Sequence, residues 1–529
     1  MSHRPHSSEL RRLALSVLQP GFVGTEAPDW VLRDIAGGLA SVVLFSRNIV
    51  SPEQVARLTG RLRAENPALV VAIDEEAGDV TRIESATGSS RPGNFALGTV
   101  DDVALTEAVA ADLGHELRAA GVSLDYAPSA DVNSNPDNPV IGVRSFGTGP
   151  DVVSRHTAAW VRGLQSAGVA ACAKHFPGHG DVAVDSHHDL PVCTARREEI
   201  EAGALPPFRA ALDAGVRAVM SAHLLVPAYD PDRPATLSPR ILQDLLRGEL
   251  GFDGLVVSDA IEMGAVTRRY GIGGATVRAV AAGVDAVCVG GESAEAATAH
   301  LLADALCEAV ADGRLPEERL AEAAVRVREF ADWSVKLREA GGASQGGASQ
   351  GGASQGGASQ GGAPRGGAGI GQVAARRAVR ISGPAGDALP LTAAPHVVEL
   401  APVTNLAIGK ETPWGVAAPL RERLPDTTAV RVRESELRDG TAVLAECALR
   451  PAVGRPLVVV VRDAARHTWM SRALADLTTA RPDAVTVEMG LPGPGLQDTG
   501  VRICTHGAST ASGVAVAEVL AGGVRGGER

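Results

Sequence analysis

Eight short apolar runs, rich in β-branched residues, recur between residues 13 and 291, each closed by Gly, Pro, Asp or Asn and followed by a longer amphipathic stretch. They are LALSVLQPGF from 13, LASVVLFSRN from 39, ALVVAIDEEAG from 68, VSLDYAPSAD from 122, VAACAKHFPG from 169, AVMSAHLLVP from 218, LVVSDAIEMG from 255 and DAVCVGG from 285. Strands that alternate with helical stretches specify βαβ units and a parallel sheet. Eight such units fit a (β/α)8 barrel of the TIM type. A doubly wound open sheet is the alternative, though so many strands in one such domain would be unusual.

A second alternation follows an abrupt change of composition. The pentapeptide GGASQ is repeated four times from 341 to 360 and is followed by GGAPRGGAGIG. Gly/Ser/Gln tracts bury too little apolar surface to offset ordering, so residues 341–371 read as a flexible linker with a mean span of about 30 Å. Beyond it, VVEL from 397, AVRVR from 429, LVVVVRD from 457, AVTVEMG from 484 and VRICTHG from 501 again alternate with helical stretches. The expected organisation is a (β/α)8 catalytic barrel over 1–340, the linker over 341–371, and a smaller α/β sandwich over 372–529. The sandwich has no comparable cluster of titratable residues at its strand ends, which suggests a supporting or interface role.

Bulk properties exclude several classes. With 45% hydrophobic and 21% charged residues in 529, the chain is globular, neither disordered nor membrane-spanning. A formal charge of −12 excludes nucleic acid as a partner, because phosphate binding needs a basic surface. The N-terminal stretch MSHRPHSSELRRLALSVLQPGF lacks the uninterrupted apolar run and small-residue cleavage site of a signal peptide, so a cytoplasmic location is expected. The six cysteines show no CxxC spacing and lie largely in apolar runs, which indicates neither disulfides nor a zinc site.

Polar residues fall at the C-terminal ends of the apolar runs: Arg47, Asp74, Asp131, Lys174, His175, His223 and Asp259. In barrel enzymes that rim carries the chemistry. The densest segment is KHFPGHGDVAVDSHHDLP, from Lys174 to Pro191. It is compatible with a solvated surface loop, with a metal site using His175, His179 and His187, or with a Schiff-base Lys174. The histidine spacings match no common zinc signature, and nothing else in the chain asks for a Schiff base. Glycosyl transfer is the remaining reading. Retaining cleavage requires one carboxylate to attack the anomeric carbon and a second group to protonate the leaving oxygen and then activate water. Asp259, just past a buried strand in GFDGLVVSDAIEMGAV, suits the first role, and the loop offers the second.

KHFPGHGD with DSH, followed by SDAIEMGA, resembles glycoside hydrolase family 3, and within it the branch of β-N-acetylglucosaminidases that trim peptidoglycan fragments. LFSRN, IDEEAGDVTRI, DYAPSADVNSNPDNPVIGVRSFG, MSAHLLVPAYD and RPATLS extend the resemblance over most of residues 39–290. The resemblance implies that Asp74, Arg82, Arg144, Lys174 and His175 grip the sugar. It implies that Asp259 is the nucleophile and that Asp185 and His187 form the acid/base pair. No metal or organic cofactor is implied. The expected partner is a small N-acetylglucosaminyl oligosaccharide or muropeptide, hydrolysed from its non-reducing end. A phosphorylase using the same residues, and a catalytically inert sugar-binding protein, are the alternatives. Where members of the family usually show DQEGG followed by Arg-Val, this chain has Asp74-Glu75-Glu76-Ala77-Gly78-Asp79. Glu75 and Asp79 are therefore expected to add negative charge near the pocket. Ala260 follows Asp259 where an acidic residue is common.

Overall fold

A computed structural model describes residues 7–184, 186, 189–346, 369–403, 407–409, 412–440, 442–493 and 500–522. The eight runs supply β1 (Leu18–Pro20), β2 (Ser41–Leu44), β3 (Val70–Ile73), β4 (Leu124–Asp125), β5 (Ala170–Phe176), β6 (Ala218–Ser221), β7 (Leu255–Ser258) and β8 (Val287–Val289). Strands β2 to β7 pair with their successors in parallel. Strand β8 joins β7 through a parallel bridge between Val257 and Ala286 and pairs in parallel with β1. The Ser41 hydroxyl, on β2, donates to Leu18 O of β1 at 3.1 Å, bringing the two ends of the sheet together. The architecture is a TIM-type barrel.

Alternation along the strands sorts the side chains into two cores. Val43, Val70, Ala72, Leu124, Ala170, Cys172, Met220, Val257 and Cys288 fill the barrel interior, where Phe330 and Ala331 of the helix Glu317–Gly346 join them. Their neighbours Val42, Leu44, Val71, Ile73, Ala171, Val219, Val256 and Val287 face outward into the layer of helices. Cys172 and Cys288 thus act as small apolar groups, and burial pushes both thiols well up.

The first run behaves differently from its expectation. Only Leu18–Pro20 is strand, and Ser8–Ser16 is an α-helix whose N-cap, Ser7, accepts from Leu10 N at 3.0 Å. Leu10, Ala14 and Leu15 recur at helical spacing and are buried, so LALSVLQPGF holds the end of one element and all of the next.

The C-terminal sheet comprises β9 (Arg380–Ser382), β10 (His396–Ala401), β11 (Thr428–Arg433), β12 (Leu457–Val461), β13 (Val485–Glu488) and β14 (Arg502–Cys504), in the order β9-β14-β13-β12-β10-β11. All its pairs are parallel except β9 with β14. Helices Ala417–Arg423 and Thr510–Ala521 cover one face and Thr468–Ala480 the other, which makes an α/β sandwich. Helix Glu317–Gly346 continues past residue 341, and residues 347–368 of the GGASQ segment lie outside the described residues. The sandwich meets the barrel through polar ties. Thr510 Oγ1 donates to Thr87 O at 2.8 Å, Ala511 N to Ser89 O at 3.1 Å, and Arg377 pairs with Asp102 at 2.7 Å. Among the described residues no helix is long and apolar enough to cross a membrane.

Candidate active site

A cavity of about 430 Å³ opens at the C-terminal ends of the barrel strands. It is lined by Asp74, Arg82, Arg144, Lys174, His175 and Asp259, six of the eight residues to which the family resemblance gives a role. Ser186 also lines it and accepts from Ala265 N at 3.3 Å, whereas Asp185 and His187 lie outside the described residues. The sandwich contributes Ala407 and Gly409 to the wall.

On one side of the cavity a chain of buried charges alternates in sign. Arg82 Nη2 lies 2.9 Å from Asp74 Oδ2, and Lys174 bonds the other Asp74 oxygen. Lys174 Nζ also lies 2.6 Å from Glu76 Oε1, and Arg144 grips both oxygens of Glu76 at 2.6 and 2.9 Å. Burial opposes ionisation of Asp74, but the cations of Lys174, Arg82 and Arg144 outweigh it and hold the carboxyl below its usual range. Burial likewise opposes the Lys174 ammonium, and Asp74 with Glu76 overcome it and raise its pKa. A Schiff base needs a neutral amine, so this lysine, locked as a cation between two carboxylates, does not fit that reading. The network holds its donors and acceptors in fixed positions at the cavity, an arrangement suited to binding hydroxyl groups.

Glu76 escaped the sequence reading, although a signal was present. In the extended segment after β3, residues 74 and 76 share a face and 75 points the other way. Neither glutamate is part of the cavity wall itself: Glu76 stands behind it and holds the wall residues Lys174 and Arg144, whereas Glu75 turns into the loop. Its Oε2 accepts from Arg82 N at 2.6 Å, Ile83 N at 2.8 Å and Thr81 Oγ1 at 3.1 Å, capping the loop. Asp79 is also turned away, toward Arg462 of the sandwich. The expectation that these two residues charge the pocket is therefore wrong, because alternation and a tight turn direct both side chains elsewhere.

Burial pushes the Glu75 carboxyl up to about 7, against the hydrogen bonds from Ile83, Arg82 and Thr81 that favour its charge. Folding then favours the protonated acid. That stabilisation is complete below the ordinary value of 4.5 and is lost as pH rises through 7. Glu75→Gln, neutral throughout, is expected to match the parent in urea midpoint at pH 5 and to exceed it at pH 8.5, by at most about 3 kcal/mol. Equal midpoints at both values would remove the protonated-acid explanation.

His175 is held from behind. Its Nδ1 lies 2.7 Å from Asp131 Oδ2, and Asp131 also accepts from the backbone N–H of His175 and of His179. Asp131 is fully buried, and although burial opposes its charge, His175 and these hydrogen bonds hold its carboxyl below the usual range. Asp131 thus supports the rim from the second layer. His223 does the same, with Nδ1 at 2.9 Å from Thr236 Oγ1 and Nε2 at 3.0 Å from Ala260 O. His179 lines the cavity edge-on to His175 and is kept neutral, with a pKa lowered to about 4 by burial and by the nearby His175.

Asp259 stands across the cavity, one residue beyond β7. Its backbone N–H donates to Ser221 O at 3.1 Å and its Oδ1 accepts from Ala260 N at 2.8 Å, so strand pairing fixes its position. Arg47 and Glu262 brace the adjoining loops. Arg47 donates to Phe22 O at 3.0 Å and Gly291 O at 2.8 Å, while Glu262 Oε1 accepts from Gly290 N at 2.8 Å.

The sequence pattern of the "Glycosyl hydrolase family 3 N terminal domain" matches residues 24–330, a span that includes the whole cavity-bearing rim of the barrel. The chain belongs to glycosyl hydrolase family 3. A beta-hexosaminidase of Stenotrophomonas maltophilia (strain K279a) is 41% identical over 278 residues, covering 51% of this chain and 80% of that protein. Beta-hexosaminidase A of Pseudoalteromonas piscicida is 37% identical over 296 residues, covering 52% of this chain and 48% of that protein, so the match spans about half the length of that relative. Among solved structures, a family 3 beta-N-acetylglucosaminidase from Paenibacillus sp. str. FPU-7 superposes with a TM-score of 0.80 at 31% identity, covering 98% of this chain and 97% of that one. The likeness to this family 3 structure therefore extends through the sandwich as well as the barrel.

Proposed function

We propose that this family 3 protein is a retaining, exo-acting β-N-acetylglucosaminidase that removes terminal, non-reducing β-linked N-acetylglucosamine. The observation that carries the reading is the convergence, on one cavity of about 430 Å³, of Asp259 with the Asp74–Arg82–Lys174–Glu76–Arg144 network. A cavity of that size suits a small ligand, and the low aromatic content of 3% favours a one-sugar pocket over a platform for a long polysaccharide. The relatives' hexosaminidase and N-acetylglucosaminidase names favour the N-acetyl sugar.

In this mechanism the charged network binds the hydroxyls of the terminal sugar and sets its anomeric carbon against Asp259. A carboxylate oxygen of Asp259 attacks that carbon as the bond to the leaving oxygen breaks. His187, oriented by Asp185, delivers a proton to that oxygen and the aglycone departs, leaving a glycosyl ester on Asp259. His187 then takes a proton from water, whose oxygen displaces Asp259 from the same face that the aglycone left. Histidine serves both steps because it titrates near neutrality, and its neutral form puts no second anion beside an anionic aglycone. Muropeptide- or chitin-derived oligosaccharides in the cytoplasm are the proposed substrates.

His187→Ala is expected to lower kcat by about 10²- to 10⁴-fold, with the larger loss on substrates whose leaving group most needs a proton. Equal losses on activated and unactivated aglycones would argue against an acid at this position. The overall reading is tested with aryl N-acetyl-β-glucosaminide beside aryl β-glucoside, each with and without inorganic phosphate. Free N-acetylglucosamine from the first substrate alone is expected. Preference for the glucoside would overturn the substrate, and sugar 1-phosphate as the main product would make the protein a phosphorylase.

A further inference from the structure

We infer that the buried Asp79–Arg462 ion pair is a positioning device through which the C-terminal sandwich holds the sugar-gripping loop of the barrel in place. The loop runs from Asp74 to Arg82 and turns sharply at Ala77 and Gly78, both in the left-handed region at φ 59° and 60°. Glu76 N donates to Val80 O at 3.0 Å and Val80 N to Ala77 O at 3.2 Å, closing the turn on itself. A Cβ on Gly78 would stand 2.4 Å from Gly93 Cα, so one side of the turn is pressed against backbone. Asp79 leaves on the other side. One carboxylate oxygen lies 2.5 Å from Arg462 Nη2 and the other accepts from Ala508 N at 2.7 Å.

Both donors belong to the sandwich. Arg462 directly follows β12, and Ala508 lies between β14 and the helix Thr510–Ala521. The two side chains are 3% and 4% exposed, and the Arg462 guanidinium lies 5.8 Å from the Trp414 ring centroid. A carboxylate at that depth holds its place through its partners, and losing one forces it to take up a proton or to move. Asp79 is five residues from Asp74 and three from Arg82, with Glu76 between, so movement of Asp79 displaces the groups that line the cavity. Asp79 stands where the family pattern usually has Arg. Arg462 and Asp79 touch no sugar. They act through Asp74, Glu76 and Arg82, and the inference takes only the identity of the ligand from the proposed function.

The test uses Arg462→Met, Arg462→Lys and the double variant Asp79→Asn/Arg462→Met in the full chain. Each is read by hydrogen–deuterium exchange of the native protein, by thermal melting, and by KM and kcat on aryl N-acetyl-β-glucosaminide. Arg462→Met is expected to speed exchange in residues 74–83 and to raise KM by about tenfold or more, with a smaller fall in kcat. Arg462→Lys, which keeps the charge without the planar fork, should fall between it and the parent. The double variant carries no unpaired buried charge, so it should regain melting temperature but neither the exchange protection nor the KM. Parental exchange and KM in the double variant would overturn the inference and leave the pair a structural tie. If Arg462→Met does not fold, the Lys and double variants decide. A parent that fails to hydrolyse the substrate counts against the proposed function, and the exchange of residues 74–83 still decides the positioning role.

Discussion

Asp259→Ala is expected to leave the melting temperature close to that of the parent while lowering kcat by about 10⁴-fold or more. Position 259 is fixed through the backbone, by the bond to Ser221 O, and the carboxylate accepts from the neighbouring Ala260 N–H. The proposed reaction does depend on it, because Asp259, a carboxylate of the cavity wall that directly follows a barrel strand, is assigned the attack on the anomeric carbon. The space left by the side chain admits a small anion. Azide should therefore restore part of the turnover and give the α-glycosyl azide, the product of one displacement from the nucleophile's face. Steady-state kinetics with and without azide checks both parts, and turnover within tenfold of the parent would refute the assignment.

Removing Glu76 should be nearly as damaging, but through the fold as well as the reaction. Glu76→Ala takes the shared anion from Arg144 and Lys174, which are buried to 6% and 2% exposure. Stripping the partner from a buried ion pair costs about 3–5 kcal/mol, since the remaining charge keeps its desolvation penalty without its attraction. Lys174 retains Asp74, while among the described residues Arg144 retains Val140 O at 3.2 Å and a long contact of 3.5 Å to His175, so Arg144 is expected to move most. The expected outcome is a lower urea midpoint together with loss of sugar affinity. Glu76→Gln, which keeps one acceptor, should lose less of each. A Glu76→Ala protein as stable as the parent would mean that water replaces the carboxylate and that the network is looser than its distances imply.

The barrel was legible in the sequence because its physics is periodic. Val42, Val43 and Leu44 alternate between helix layer and barrel interior, and runs buried on both faces stay apolar throughout. The same rule hides β9, whose three residues Arg380–Ser382 are all exposed at an antiparallel edge and leave no apolar trace. It also blurs the first run, where a helix and a strand share one apolar stretch. The rim was legible for the related reason that polar residues ending buried strands have few other places to go. Asp74, Lys174 and Asp259 fall there by that logic alone, whereas Arg82 and Arg144 came from the family resemblance.

What composition and motif could not reveal is direction. Glu75, Glu76 and Asp79 read as one acidic stretch, yet one caps the loop, one anchors two cations in the cavity and one crosses to Arg462 in the sandwich. For Glu76 and Asp79 the partners that determine those fates are remote in the chain, Arg144 and Lys174 for the one and Arg462 for the other. The sandwich illustrates the same point: its contacts with the cavity and the loop behind it come from Ala407, Gly409, Arg462 and the backbone N–H of Ala508, which no motif marks.

Double displacement at Asp259 is tested most directly by the configuration of the first-formed sugar. Proton NMR of aryl N-acetyl-β-glucosaminide hydrolysis, followed from the first minute, should show the β-anomer of N-acetylglucosamine appearing first and the α-anomer growing only by mutarotation. The α-anomer appearing first would mean that water attacks the substrate directly, and it would contradict both the glycosyl-enzyme and the nucleophilic role of Asp259.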